Sequence, residues 1–210
     1  MLYLLRHGQT EWNSTGLFRG RKDIPLSEGG RVQAELSARA LKDAGIKKIY
    51  SSPLKRALET AEAVSKVIGI EPVVLEGLTD LNFGLWEGQT LEWVKQNYKD
   101  EYYMYRNHPE NCSIPGGESL PECFNRVAKL IENILSENDI EKIPVLIVTH
   151  RVILKMAFLW ILSLPLSRFW HFQLDTCSIT SFKIRDGMNI LTRFNDTCHL
   201  ENLRFGKMDF

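Results

Sequence analysis

Three short apolar runs recur along the chain, and each is followed by a polar turn and then by a helical pattern. The runs cover 2–5, 46–50 and 144–148. Hydrophobicity within them is continuous rather than alternating, which indicates strands covered on both faces, as in a parallel sheet with crossover helices. Further helical periodicity predicts helices over the segments 28–44, 90–98 and 120–136.

The helix after the second run has clear start and stop signals. Ser52 is a suitable N-cap and Pro53 a suitable first helical residue, so the pattern predicts a helix over 53–68. Gly69 follows as a stop signal.

The most apolar stretch of the chain, 152–166, follows the third run and is interrupted by Lys155. It is shorter than the ~20 residues that a bilayer span needs. We therefore interpret it as a buried helix, and we expect a soluble protein without a membrane partner.

Two strand-like runs near the end of the chain, 176–184 and 189–194, flank the turn signal Asp186-Gly187. They predict an antiparallel edge on an otherwise parallel sheet. No repeat or flexible linker divides the sequence. We therefore predict an α/β fold, a three-layer α/β/α sandwich with a mostly parallel mixed sheet, built as a single domain over 1–210.

Composition excludes several classes of protein. The 210 residues are 44% hydrophobic and 25% charged, which is typical of a globular domain and not of a disordered one. The 26 basic and 26 acidic residues leave no net charge, which argues against nucleic-acid binding. The four cysteines form no metal-binding or disulfide pattern, so we expect free thiols in the cytoplasm and no metal site.

Candidate chemistry follows the ends of the three apolar runs. Arg6 and His7 follow the first run, Arg56 the second, and His150 the third. Ligands of open α/β sheets bind beyond the carboxyl ends of the strands, so these side chains are expected to meet. Guanidinium groups bind phosphate oxygens in pairs, and a neutral imidazole can attack phosphorus. The charged residues Arg19, Arg21 and Lys22 either extend this pocket or form a solvated loop.

A leaving group also needs a proton donor, and the segment 79–88 offers two carboxyl groups, Asp80 and Glu87. The residues alone leave this choice open.

The chain resembles branch 1 of the histidine phosphatase superfamily, the phosphoglycerate mutase-like group. The resemblance covers nearly the whole chain and rests on an ordered set of motifs at the family's spacing. These are LRHGQTEWN at 5–13, DIPLSEG at 23–29, YSSPLKR at 50–56, GLWEG at 84–88, PGGES at 115–119 and VTH at 148–150.

The resemblance implies a phosphate pocket in which His7 is phosphorylated. The family's proton donor is normally Glu, and its position is occupied here by Asp80, while Glu87 belongs to the GLWEG motif. We therefore assign the donor role to Asp80, with Glu87 as the alternative. The catalytic residues are predicted to be His7, Asp80 and His150, with a protonated His150 that stabilises the transition state. The substrate-binding residues are predicted to be Arg6, Asn13, Gly20, Arg56, Arg151 and His199.

The last third of the chain is similar to bacterial metal-independent phosphoserine phosphatases. The likeness lies in 169–172, Asp175 and 197–200. In those enzymes a histidine of the last segment lies near the serine part of the substrate, and that position is His199 here. A second histidine expected before Gly84 is replaced by Phe83. The alternative role for His199 is that of an edge-strand histidine that packs the C-terminal tail.

The resemblance therefore implies a metal-independent phosphatase, without a cofactor, that hydrolyses a small phosphomonoester. Phosphoserine is the preferred substrate and α-ribazole phosphate the alternative. A catalytically weak, phosphate-binding regulatory subunit is a second alternative. A phosphoglycerate mutase is disfavoured, since only about 25 residues separate Gly88 from the PGGES motif and mutases have a longer insertion. We predict a cap-like insertion over about 90–120, and the apolar C-terminal strands permit a homodimer.

Overall fold

The architecture is a six-stranded mixed sheet with helices on both faces, in a computed structural model that describes residues 1–200. The last ten positions of the predicted domain, 201–210, lie outside the described residues. The strands are β1 (Leu2–Arg6), β2 (Lys48–Ser51), β3 (Pro72–Val74), β4 (Val145–Thr149), β5 (Ile179–Arg185) and β6 (Met188–Asp196).

The sheet order is β3-β2-β4-β1-β5-β6. The first four strands pair in parallel, and β5 and β6 add an antiparallel edge. Asp186 and Gly187 form the turn between these two strands with positive φ angles of 52° and 73°. The predicted mostly parallel sheet and its antiparallel edge are confirmed.

Seven α-helices connect the strands within the described residues. They are α1 (Glu11–Ser14), α2 (Glu28–Leu41), α3 (Lys55–Ile68), α4 (Leu91–Asn97), α5 (Lys99–Asn107), α6 (Leu120–Glu137) and α7 (Arg151–Ile161). None of the helices in residues 1–200 is both long and apolar enough to cross a bilayer.

The core has two parts, one on each face of the sheet. Leu2 and Leu4 of β1 belong to the larger part, with the apolar faces of α6 and α7. Leu5 belongs to the other part, with Ala38 of α2 and Ala61 of α3. Successive residues of a strand point to opposite faces, so this division produces the three-layer sandwich that the sequence predicts.

Several predicted element boundaries are wrong. Helix α3 begins at Lys55 with Leu54 as N-cap, not at Pro53. Ser52 does not cap the helix as predicted, because its Oγ accepts a hydrogen bond from the Leu54 amide at 3.3 Å and contacts the ring of His150. Gly69 is the C-cap with a φ of 73°, as predicted. The predicted helices 28–44 and 152–166 end earlier, and the sequence did not predict α1, β3 or α5.

The sheet register brings two predicted site residues together. Arg6 is opposite Thr149 in the β1–β4 ladder, and the His7 amide donates a hydrogen bond to the Thr149 carbonyl at 3.0 Å. His7 and His150 are therefore the first residues beyond two adjacent parallel strands. Their ring centroids are 5.2 Å apart.

Candidate active site

His7 is held as a neutral imidazole with one defined tautomer. Its Nδ1 lies 2.7 Å from the Gly8 carbonyl oxygen, which can only accept, so Nδ1 carries the proton and Nε2 keeps its lone pair. Burial lowers the pKa of His7 well below its ordinary value, and the positive charges of Arg56 and Arg6 lower it further. These are the properties of a nitrogen nucleophile.

His150 is also neutral, and both of its ring nitrogens have partners. Arg56 Nε donates to His150 Nδ1 at 3.2 Å, so the proton of the neutral ring is on Nε2, which lies 2.7 Å from Ser52 Oγ. Burial lowers the pKa of His150 well below its ordinary value, and the charge of Arg56 adds to this effect. This geometry therefore favours a neutral His150 and not the cationic form.

Arg56 is a fully buried guanidinium with several acceptors. Besides His150, it donates through Nη1 to the Lys22 carbonyl at 2.8 Å and through Nη2 to the Gly20 carbonyl at 2.7 Å. Nη2 also lies 3.1 Å from Asp80 Oδ2. Arg6 is equally buried and donates through Nη1 to the Leu174 carbonyl at 2.7 Å. Two guanidinium groups thus lie beside the neutral imidazoles.

The two candidate proton donors are in different environments. Asp80 Oδ2 lies 3.1 Å from Arg56 Nη2 and 3.8 Å from His150 Nδ1, and Asp80 lines the cavity next to His7. Glu87 Oε1 instead accepts hydrogen bonds from the backbone amides of Arg21 at 2.8 Å and Phe83 at 3.2 Å. This geometry favours Asp80, because Glu87 is engaged in holding two loops together.

Glycines allow the loop that carries Asp80 to lie directly against the PGGES motif. A Cβ on Gly117 would be 2.3 Å from the Asn82 carbonyl oxygen, and a Cβ on Gly84 would be 2.3 Å from the Pro115 carbonyl oxygen. The Glu118 amide donates to the Asn82 carbonyl at 2.9 Å. The two motifs therefore form one packed unit.

A cavity of about 50 Å³ lies at the carboxyl ends of the strands. Of the nine predicted site residues, five line it: His7, Asn13, Gly20, Asp80 and Arg151. Arg6, Arg56 and His150 are fully buried and adjoin it through His7 and Asp80. Sequence reasoning left the role of Arg19 open and did not identify Val152 as part of the apolar lining.

His199 is the predicted site residue that the structure does not bring to this cavity. Its Nε2 lies 2.9 Å from Ser37 Oγ on α2, and Ser37 Oγ also lies 3.5 Å from the Cys177 carbonyl. Burial lowers the pKa of His199. His199 thus packs against α2 and is not part of the edge strand; the C-terminal tail that the sequence analysis gave as its partner lies outside the described residues.

Thr60 is a positioning residue that the sequence analysis did not identify. Its Oγ1 accepts a hydrogen bond from the Gly8 amide at 3.1 Å and donates to the Arg56 carbonyl at 2.7 Å. The loop after His7 is thereby connected to the helix that carries Arg56. The four-residue spacing between Arg56 and Thr60, one helical turn, was the available signal.

Taken together, a buried neutral histidine, two buried arginines and a carboxyl group suit the transfer of a phosphoryl group. A model of the histidine phosphatase superfamily (branch 1) matches residues 2–197. Phosphoserine phosphatase 1 of Hydrogenobacter thermophilus is 32% identical over 199 residues, which cover 95% of this chain and 93% of that protein.

Solved structures agree with this result. A mutant phosphoserine phosphatase from Entamoeba histolytica, in complex with phosphoserine, is similar with a TM-score of 0.85 and 33% identity, covering 95% of this chain and 98% of that chain. The α-ribazole phosphatase from Shigella flexneri has a TM-score of 0.84 and 26% identity, covering 93% and 96% of the two chains. The chain described here belongs to branch 1 of the histidine phosphatase superfamily.

Proposed function

We propose that this chain is a phosphatase that hydrolyses a small phosphomonoester, preferably phosphoserine, through a phosphohistidine at His7 and without a metal ion or cofactor. The observation that carries this proposal is the tautomer of His7. Its Nδ1–H is bound by the Gly8 carbonyl, so Nε2 is a buried lone pair beside two arginines. Such a nitrogen is suited to attack a phosphorus atom.

In the first chemical step, His7 Nε2 attacks phosphorus and the bond from phosphorus to the ester oxygen breaks. The departing oxygen takes a proton from the carboxylic acid of Asp80, so the products are phospho-His7 and an alcohol. Arg56 and Arg6 stabilise the charge on the phosphoryl oxygens. Asn13, Gly20 and Arg151 line the cavity and are proposed to contact the substrate.

In the second step, the ionised Asp80 takes a proton from water and the water oxygen attacks phosphorus. The bond from phosphorus to His7 Nε2 breaks, inorganic phosphate leaves, and Asp80 is again protonated. The pairing of Asp80 with Arg56 fits both roles. A phosphate bound to Arg56 would place an anion beside Asp80, which favours the protonated carboxyl group of the first step.

The substrate preference is supported by the relatives that act on phosphoserine, at 32% and 33% identity. The similarity to the α-ribazole phosphatase keeps α-ribazole phosphate as the second candidate. We propose that the segment 90–120 forms a cap that contributes to this choice. Tyr105 of α5 packs edge-on against Phe18 and Phe83, two residues of the cavity lining, with ring centroids 6.5 and 6.0 Å apart.

The proposal is tested by assaying phosphoserine, α-ribazole phosphate and 3-phosphoglycerate side by side with EDTA present. We expect the highest kcat/KM for phosphoserine, release of inorganic phosphate and no loss of activity with EDTA. Acid-labile phosphoenzyme should form in the wild type and be absent in H7A. Phosphoenzyme that persists in H7A, or phosphate binding without turnover, would contradict the proposal, and interconversion of phosphoglycerates would indicate a mutase.

We further propose a cytoplasmic homodimer formed across the edge strand β6. Met188, Ile190 and Phe194 of this strand are large apolar side chains that are 57%, 41% and 39% exposed. An exposed edge with apolar side chains is a template for pairing with another strand. Light scattering of the wild type and of I190K should give dimer and monomer masses, and a monomeric wild type would refute the proposal.

A further inference from the structure

The backbone that carries Asp80 is held by side chains from outside its own loop. Arg126 of α6 donates through Nη1 to the carbonyl oxygens of Gly77 at 2.7 Å and Thr79 at 3.2 Å. Arg21 donates through Nε to the carbonyl oxygen of Asp80 itself at 3.3 Å. Three carbonyl groups within four residues are therefore bound by two guanidinium groups, immediately beside the proposed proton donor.

Glu118 of the PGGES motif fixes the orientation of Arg126. Its Oε1 lies 2.7 Å from Arg126 Nε and its Oε2 lies 2.8 Å from Arg126 Nη2, a bidentate pair. The same Oε2 lies 3.5 Å from Arg21 Nη2. Because a bidentate carboxylate fixes the plane of the guanidinium, Arg126 Nη1 is directed at the loop carbonyls and not at solvent.

Arg126 lies on a long helix with a capped N-terminus. Helix α6 has 18 residues, and it begins with Ser119 as N-cap in a capping box with Glu122. Arg126 is on its second turn, and its side chain is 24% exposed while that of Glu118 is 13% exposed. The carbonyls before Asp80 are thus connected to a helix of the core and not only to neighbouring loops.

We infer that Arg126, oriented by Glu118, is a positioning residue for proton donation by Asp80, an inference that rests on the proposed function. An aspartate has one methylene between its backbone and its carboxyl group, so the backbone sets how far the carboxyl group reaches. A misplacement of about 1 Å can cost up to ~10²-fold in rate. Arg126 acts through the loop backbone, and it is not among the residues that line the cavity.

Leaving-group dependence tests this role. Phosphoserine loses an alkoxide, which needs a proton, whereas 2,4-dinitrophenyl phosphate loses a stable phenolate that needs none. The value of kcat/KM reports the steps up to formation of phospho-His7 for both substrates. In R126M we expect kcat/KM to fall ~10-fold or more for phosphoserine and less than ~2-fold for the aryl ester. R126K, which keeps one donor group, should be intermediate.

Reference variants separate this inference from the proposed function. D80N should show the same selective loss of kcat/KM for phosphoserine, by a larger factor than R126M. R31M is the matched control, because Arg31 pairs with Glu59 at 3.5 Å on the surface between α2 and α3. It should leave both kcat/KM values unchanged.

Each outcome has a defined meaning. The positioning role is overturned if kcat/KM falls selectively for phosphoserine in D80N but falls equally for both substrates, or not at all, in R126M. This result leaves the proposed function intact. Equal loss on both substrates in D80N overturns the assignment of the proton donor. If R126M does not fold, judged by circular dichroism, E118Q and R126K replace it, and equal or absent losses in both variants overturn the inference.

Discussion

Replacing Asp80 with Asn should tighten the binding of an oxyanion while it slows turnover. The carboxylate of Asp80 lies 3.1 Å from Arg56 Nη2 and 3.8 Å from His150 Nδ1. The side chain of Arg56 is fully buried and that of Asp80 is 9% exposed. A phosphate that binds Arg56 must therefore compete with a carboxylate that is already there. Removing this internal anion should favour the external one.

The magnitude follows from the distance. At an effective dielectric constant of about 20, two unit charges 3.1 Å apart attract each other by ~5 kcal/mol. Desolvation of the buried pair offsets most of this attraction. The amide introduced by D80N would also keep a neutral carbonyl oxygen near Arg56. We therefore expect a net gain of ~1.4 kcal/mol, which corresponds to a ~10-fold lower Kd.

Sulfate is a suitable probe, because it remains a dianion near neutral pH and adds no titration of its own. Calorimetric titration should give a Kd about 10-fold lower for D80N than for the wild type. The kcat for phosphoserine should fall by ~10²-fold or more in the same variant, since proton transfer is lost. The matched control is D23N. Asp23 also acts on Arg56 electrostatically, but its carboxylate contacts Lys55 and its side chain is 45% exposed.

Two results would refute this reasoning. Sulfate binding that is unchanged or weaker in D80N would mean that Asp80 does not compete for Arg56. Equal tightening in D23N and D80N would mean that only the overall charge of the site matters. Tightening confined to D80N, together with slow turnover, is the pattern that the 3.1 Å contact predicts.

Three further changes have defined outcomes. Acidification from about pH 7 to about pH 5.5 should lower the free energy of unfolding by up to ~1.4 kcal/mol per pH unit for each of His7 and His150. The reason is that the pKa values of both residues are lowered in the folded chain, so the unfolded chain binds more protons. Urea titrations that give the same stability at both pH values would contradict this prediction. G117A should lower the melting temperature by several °C, since its Cβ would lie 2.3 Å from the Asn82 carbonyl oxygen, and an unchanged melting curve would contradict this close approach. S52A should lower kcat several-fold and shift its pH profile, because His150 Nε2 loses its hydrogen-bond partner. S52T should restore part of the activity. A wild-type pH profile in S52A would exclude a role of Ser52 in holding His150.

The sequence predicted that His7, Arg6 and Arg56 meet, because strand ends have a simple geometry. Buried parallel strands give continuous apolar runs, and the residues just beyond them share one edge of the sheet. His7 and His150 directly follow β1 and β4, which pair in parallel, so both residues lie at the same edge of the sheet. Arg56 was predictable from the same rule, although its helix begins at Lys55 and not at Pro53.

Two of the elements that the sequence did not predict, β3 and α5, lack a buried apolar pattern. Strand β3 has three residues, and its Val73 and Val74 are 49% and 45% exposed, so no continuous run marks it. Helix α5 has a single buried residue, Tyr105, among polar and aromatic neighbours. Burial produces the periodicity that sequence reasoning uses, and these two elements bury too little to show it.

The tautomers and the ion pair depend on contacts that no local pattern records. Asp80 and Arg56 are 24 positions apart, and Arg126 is 47 positions from the carbonyl of Thr79. The sequence placed a cationic His150 in the mechanism, because the donation from Arg56 Nε to its Nδ1 is visible only in three dimensions.

The electrostatics of the site connect these contacts. The chain has no net charge, yet Arg6 and Arg56 are both fully buried beside His7. Their charge helps to lower the pKa of His7, which preserves the lone pair for attack, and the same charge favours a dianionic substrate. Asp80 balances part of this charge through its pairing with Arg56. A carboxyl group that both pairs with Arg56 and reaches the leaving group must be placed accurately. Because only one methylene joins the Asp80 carboxyl group to its backbone, its position depends on the backbone carbonyls that Arg126 binds.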